Sequence, residues 1–326
     1  MSLPEHFRHS LRLPLVAAPM FLISGPELVI ETCKAGVIGT FPALNQRTSE
    51  GFEAWLEQIE AALAAADNPA PFGVNLIVHP TNQRLQADLE LIVKHRVPLV
   101  ITSLGAVREV VDAVHSYGGL VFHDVTNIRH ARKAAEAGVD GLIAVCAGAG
   151  GHAGTLSPFA LVNEIRQFFQ GALLLAGCIS SGRDIATARM LGADLAYTGT
   201  RFINTRESQA SEEYKQMILE SSADDIVYTP RVSGIPANFL RPSLTAAGMD
   251  PDAAVDSGKK VDLGEELTAP KEGASAWKSI WSAGQGVGSI ADQPPVAELI
   301  ARMREEFTNA TSDFVTNNQP YLNREV

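Results

Sequence analysis

From about residue 13 to residue 200, short apolar runs alternate with segments whose apolar residues recur at helical spacing. The rhythm repeats roughly every 20–35 residues, the length of one β-α unit. Eight runs read as strands: 14–18, 36–40, 72–77, 99–102, 120–122, 141–145, 173–176 and 195–197. They are short and almost wholly apolar, as parallel strands covered on both faces must be. The segments between them carry helix punctuation. Ser24-Gly25-Pro26 opens one helix and Gly36 closes it; Thr48 or Ser49 caps a longer one with Phe52, Trp55, Leu56, Ile59 and Leu63 on a single face. Asn127 opens a helix ended by Gly138, and Ser157-Pro158 sets an N-cap before a first-turn proline. The Trp55 stripe has the period of a buried helix face and reads as core.

Eight such units predict a TIM (β/α)8 barrel, with the site at the carboxyl ends of the strands. The competing doubly wound sheet expects G-x-G-x-x-G after the first strand, where Ala17-Ala-Pro-Met-Phe-Leu-Ile-Ser24 stands instead. After Arg201 the rhythm stops. The reading is a barrel over 1–206 with 277–310, a small and mostly helical insertion over 207–276 after the eighth strand, and a polar C-terminal tail over 311–326. Within the insertion 211–220 reads as a helix. The sequence leaves open whether the insertion is a lid, a homodimer surface or both.

Composition narrows the partners. There are 26 lysines and arginines against 37 aspartates and glutamates, a net charge of −11, with no basic block. Nucleic acid and anionic membrane surfaces are poor partners for such a chain. No run reaches the length of a membrane span, and the first residues lack the pattern of a signal peptide. Cys33, Cys146 and Cys178 are too far apart for zinc or C-x-x-C redox spacing, and each reads as a small core residue. A reducing, cytoplasmic location and no metal are expected.

The richest chemistry lies in Val-Cys-Ala-Gly-Ala-Gly-Gly-His-Ala-Gly at 145–154, directly after the sixth strand. Glycine lets backbone pass close to a ligand, so His152 can face a bound molecule. The turns Ala176-Gly-Cys-Ile-Ser-Ser-Gly182 and Thr198-Gly-Thr-Arg201 follow the last two strands. In barrels that position often binds phosphate through exposed backbone N–H groups. Ser180, Ser181 and Thr200 are candidate hydroxyl donors there. The strand tips also supply Pro19, Met20, Asn75, Ser103 and Asp124. His79 is a candidate for the mouth, whereas His95, His115 and His130 fall in helices and read as surface or packing residues. Tyr228 and Phe239 are candidate lid aromatics, and the loop with Trp281, Ser282 and Gln285 is a candidate cover.

Taken in order, Ala18-Pro-Met20, Phe72-Gly-Val-Asn-Leu76, Ala149-Gly-Gly-His-Ala-Gly154, Ala176-Gly177, Gly199-Thr-Arg-Phe202 and Ile280-Trp-Ser-Ala-Gly-Gln285 resemble the nitronate monooxygenases, formerly called 2-nitropropane dioxygenases. The resemblance implies a barrel that binds FMN without a metal. It implies that backbone at Pro19, Met20 and Phe21 lies along the isoalloxazine, that Asn75 contacts the flavin, and that the glycine before the histidine is Gly150 or Gly151. It places the phosphate against Gly177, Cys178, Gly199 and Thr200, and His152 beside flavin and substrate. The implied reaction joins an anionic nitronate and O2 to give a carbonyl compound and nitrite. His152 is the candidate to hold the nitro oxygens or, when neutral, to take the α-proton of a nitroalkane.

Two residues depart from the pattern. Several relatives carry a lysine at the end of the fifth strand, near the cofactor, where this chain has Asp124. A dry, unpaired carboxylate beside an anionic cofactor is costly, so Asp124 either turns away, pairs (Arg129 is near in sequence), or marks a different pocket. Cys178 stands where a second glycine is usual. Two other functions fit the same motifs. One is an FMN reductase passing hydride from NAD(P)H to a quinone or enoyl thioester; the other is a barrel that binds a phosphorylated ligand without redox chemistry.

Overall fold

A computed structural model describes residues 3–105, 108–253 and 279–322. Eight parallel strands close into a barrel: β1 Leu15–Ala17, β2 Ile38–Pro42, β3 Phe72–Ile77, β4 Leu99–Ser103, β5 Leu120–Val125, β6 Gly141–Val145, β8 Ala172–Ala176 and β9 Leu195–Thr198. Closure is made by β1, which pairs with β2 on one side and with β9 on the other. The remaining strand in chain order, β7 Gly151–His152, lies outside the barrel.

Alternation along each strand separates two cores. Val16, Ile38, Ile101, Phe122, Ile143, Leu174 and Leu195 fill the barrel interior. Leu15, Val74, Val100, Val121, Leu142 and Leu173 point outward against the helices. The helices are α2 Pro26–Lys34, α3 Ser49–Ala64, α4 Leu85–Lys94, α5 Arg108–His115, α6 Ile128–Ala137, α7 Pro158–Arg166 and α8 Gly182–Met190. Their caps match the punctuation: Thr48 accepts from Gly51 N, and Asn127 accepts from His130 N. Gly138 closes α6 in the left-handed region, at φ +91°. The expected apolar stripe of α3 is buried at Phe52, Leu56, Ile59 and Leu63. A first helix, α1 Glu5–Ser10, brings Leu3 and Phe7 into the interior cluster, beside Leu120 and Ala172 where β5 and β8 begin. The amino end of the barrel is thereby plugged, which leaves the carboxyl end for chemistry.

Beyond its helices, the described part of the insertion, residues 207–253, holds two strands that the sequence reading did not assign. After α9 Thr200–Ile203 and α10 Glu212–Glu220 it forms an antiparallel hairpin, β10 Ile226–Thr229 and β11 Ala237–Leu240, followed by α11 Arg241–Ala246. The β-branched and aromatic residues of the hairpin bury Ala237, Phe239 and Leu244 with Ile280 in a small core of their own. Residues 254–276 of the insertion, and Trp277, lie outside the described residues. The polar segment expected as a C-terminal tail is helical over its described residues, 311–322. It continues the helix α12 Val296–Leu322, whose first turns bury Val296, Leu299, Ile300 and Met303 against α8 while the later turns are exposed. A helix nucleated by such packing extends into polar sequence at little cost.

Candidate active site

The strands deliver their carboxyl ends to one cavity of about 770 Å³. All eleven site residues expected from sequence line it: Pro19, Met20, Phe21, Asn75, Gly150, Gly151, His152, Gly177, Cys178, Gly199 and Thr200. Each is positioned by a separate local device.

The turn after β1 is held from both sides. Met20 N donates to Ser24 Oγ (3.0 Å), and Asn45 Nδ2 donates to Met20 O (3.1 Å) and to Ser24 O (2.8 Å). Leu22 N donates to Asn45 Oδ1 (2.9 Å), with Leu22 itself at φ +61°. Backbone over 19–21 is therefore rigid along one wall. Asn75, on β3, is buried; its Nδ2 donates to Ile101 O (3.1 Å) and to Ser103 Oγ (2.8 Å). Those two bonds orient the amide and leave Oδ1 as its acceptor for anything in the cavity.

After β8 the chain turns through Gly177 at φ +129° and Cys178 at φ +55°. Only glycine adopts the first of these without strain, and an added Cβ would also stand 3.0 Å from Ala147 O. Among the described residues, the N–H groups of Cys178, Ile179, Gly199 and Thr200 donate to no protein acceptor. Such unpaired donors in a turn make a concavity that suits an anion. The serines assigned as donors are otherwise engaged. Ser180 Oγ donates to Gly286 O (2.9 Å), while Ser181 Oγ donates to Asp184 Oδ2 (2.9 Å) and accepts from Asp184 N in the cap of α8. Thr200 Oγ1 accepts from Gly284 N (2.9 Å) and keeps its own proton to donate.

His152 is not on an open loop. It forms β7, which pairs with β11, His152 opposite Ala237 and Gly151 opposite Asn238. Asn238 Nδ2 donates to Ala149 O (2.6 Å) and Tyr228 OH to Ala153 O (3.1 Å), while Gly151 N donates to Ser282 Oγ (2.7 Å). Ser282 O in turn accepts from Tyr214 OH, whose ring stacks on Trp281 at 5.0 Å and 8°. The loop over 281–285 crosses so close to 148–150 that a Cβ on Gly284 would stand 2.6 Å from Gly148 O. Hairpin and crossing loop together fix the imidazole. Burial pushes the His152 pKa down to about 4, so the ring is neutral at pH 7. Ser233 Oγ lies 3.5 Å from Nε2 and gives its own proton to Ile235 O (2.9 Å).

Asp124 neither turns away nor pairs with Arg129. It lines the cavity, and Ser103 Oγ donates to its Oδ2 (2.5 Å). Burial raises its pKa to about 6, against the opposing effect of the Ser103 hydrogen bond. His123, next to it in sequence, is buried, lines the cavity as well and bonds Thr102 Oγ1 through Nδ1 (2.7 Å).

Other candidates are redistributed. His79 bonds Thr81 (2.8 Å) away from the cavity, and Phe239 is fully buried rather than a lid residue. Tyr228 does line the cavity. His130, read as a surface residue, lines it too, together with Lys133 one turn further along α6. Cys33 and Cys146 are buried as expected, but Cys178 is exposed. Tyr197, Ile235 and Lys133 line the cavity and were not assigned to the site from sequence. Ser103, expected at the tip of β4, does line the cavity, on the same face as Leu99 and Ile101, which point into the barrel.

Comparison with known proteins agrees with this geometry. A family model described as nitronate monooxygenase matches residues 80–306. A nitronate monooxygenase from Paraburkholderia phytofirmans is 27% identical, over 90% of this chain and 92% of that protein. An octahydro-1H-indene-4-carboxyl-CoA dehydrogenase from Mycobacterium tuberculosis is 28% identical over 71% of this chain, which spans 64% of that longer protein. Among solved structures, a nitroalkane oxidase from Streptomyces ansochromogenes superposes with a TM-score of 0.78 at 23% identity, covering 95% of this chain and all of that one.

Proposed function

The chain belongs to the nitronate monooxygenase family, and from that premise we propose that it oxidises alkyl nitronates with O2 to a carbonyl compound and nitrite, using FMN. The observation that carries the reading is the meeting, on one cavity, of a neutral His152 with the unpaired N–H groups of the β8 and β9 turns. The donor set fits FMN. Cys178, Ile179, Gly199 and Thr200 would hold the phosphate, the fixed backbone over 19–21 would lie along the isoalloxazine, and Asn75 would offer its Oδ1 to a ring N–H. When bound, the flavin supplies the electron acceptor that no side chain provides.

The protein's own contribution is placement and proton handling. An N–H of His152 can donate to a nitro oxygen, which orients the nitronate and stabilises its charge in a site of low dielectric. The unprotonated ring nitrogen can instead take the α-proton of a neutral nitroalkane. The hairpin and the 281–285 loop keep the imidazole fixed and limit water around it. With a depressed pKa, the base form predominates through the neutral range. kcat/KM for a neutral nitroalkane is therefore expected to stay level down to about pH 5 and to fall with an apparent pKa near 4. An ordinary histidine, near 6.5, would already be about half protonated at pH 6.5. An acid limb at that ordinary value would show that His152 is not the base.

The test of the whole reading is anaerobic. Flavin-loaded protein is mixed with propionate 3-nitronate and, separately, with NADH and NADPH, and the flavin absorbance is followed. Bleaching by the nitronate supports the oxidation. The second reading, a reductase on the same barrel, draws support from the similarity to a protein named a carboxyl-CoA dehydrogenase. Bleaching by a nicotinamide nucleotide with no response to nitronate would establish it in place of the first.

A further inference from the structure

Asp124 has no part in the steps above, yet it stands in the wall of the same cavity. It follows Phe122 on the inward face of β5, opposite Ile143 of β6 in register. Ser103 of β4 donates to Oδ2, and Ser103 Oγ accepts from Asn75 Nδ2, so three strands are tied into one chain of hydrogen bonds. Because the Ser103 proton is committed to Oδ2, Oδ1 is the oxygen left for a proton or for the contents of the cavity. Among the described residues no ion pair holds the carboxylate. Around it are the phenol of Tyr197 on β9, whose own ionisation is suppressed by burial and by the charge of Asp124, and apolar Ile143. His123 also lines the cavity, with burial pushing its pKa down to about 4 so that the ring is neutral, and from α6 His130 and Lys133 line it too. A carboxylate in such a place is costly to keep charged, and the cost rises when another negative charge arrives nearby.

We propose that Asp124 sets the redox balance of the bound flavin, its carboxylate opposing the negative charge of the reduced cofactor and taking up a proton as that charge arrives. The inference rests on the flavin reading above. The balance is simple. Two electrons from the reductant enter the flavin with one proton and leave it an anion, and one further proton from solvent adds to Asp124 Oδ1, converting carboxylate to carboxyl. Ser103, by donating to Oδ2, opposes that second uptake and so sets the pH at which it occurs.

The experiment is a potentiometric titration of the FMN-loaded protein at pH 5 and pH 8, for the wild type and Asp124→Asn. At pH 8 the variant should favour reduced over oxidised flavin at least tenfold more than the wild type, a potential more positive by about 30 mV for a two-electron couple. At pH 5 the two potentials should converge, because the wild-type carboxyl is then neutral as well. Ser103→Ala, which removes the donor, should move the pH of convergence upward. Proton uptake on photoreduction, read with an indicator dye in weak buffer, needs only the wild type and should exceed one proton per flavin near neutral pH. Equal potentials at both pH values, a gap that does not change with pH, or uptake of one proton only would overturn the proposal. A protein that takes up no flavin overturns the cofactor reading and this inference with it. A loaded protein that ignores nitronate but shows the pH-dependent gap leaves the inference standing and removes only the reaction.

Discussion

Replacing His152 with alanine should lower kcat for nitronate oxidation by roughly 10²–10⁴-fold, the usual loss when a positioned proton-handling side chain is removed. Flavin should stay bound. The groups assigned to the phosphate lie on the β8 and β9 turns, and the pairing of β7 with β11 is made by backbone, which the substitution leaves intact. Absorbance of the purified variant reports the cofactor, and oxygen consumption with propionate 3-nitronate reports turnover. His152→Gln, which can still donate a hydrogen bond but cannot act as a base, separates the two roles. It should recover part of the rate with nitronates and none with nitroalkanes. Full turnover in the alanine variant would remove the imidazole from the chemistry.

The second large effect concerns stability. Gly182 opens α8 against α12, and its N–H donates to Glu306 Oε2 (2.7 Å). A Cβ at this position would overlap Met303 O outright and stand 2.5 Å from Phe307 N. Both are backbone atoms, so no rotamer change can relieve the contact; one helix has to move. Gly182→Ala should therefore cost about 3 kcal/mol, at the upper end of overpacking penalties. In a chain of this size that is a fall in melting temperature of roughly 4–5 °C. Because α8 continues directly from the Cys178 turn, the variant should also release flavin more readily than the wild type. Thermal melting with and without added FMN measures both. An unchanged melting temperature would mean that the two helices do not meet as described.

Much of the barrel was legible because its strands are buried on both faces. Runs such as Phe72–Ile77 and Gly141–Val145 announce themselves by composition, and their observed bounds coincide with the reading. The glycine-rich tips were legible for a related reason: backbone that must approach a ligand or another backbone excludes side chains. What the sequence hid depends on partners remote along the chain. The hairpin partner of β7 lies some 85 residues away, at Ala237–Asn238, and two residues of strand carry no periodicity of their own. The β10 segment, Ile226–Thr229, is a short apolar run, but it lies outside the β-α rhythm that marked the barrel strands. His130 and Lys133 looked like solvated helix residues because nothing in their spacing says that α6 borders the cavity. Ser180 and Ser181 were over-read for the opposite reason. Their hydroxyls suit an anion chemically, but the cap of α8 and the loop at Gly286 claim them first.

The sheet that carries His152 has a consequence for anyone recombining this enzyme with its relatives. Residues 148–154, 226–240 and 281–285 are far apart in the gene, yet they interlock through Asn238, Tyr214 and Ser282. A chimera cut at the apparent border of the insertion would import the hairpin without the strand and loop it was shaped to grip. The smallest unit that can be exchanged with the imidazole still aimed correctly is discontinuous, and crossover points belong in the barrel helices rather than at the end of the eighth barrel strand.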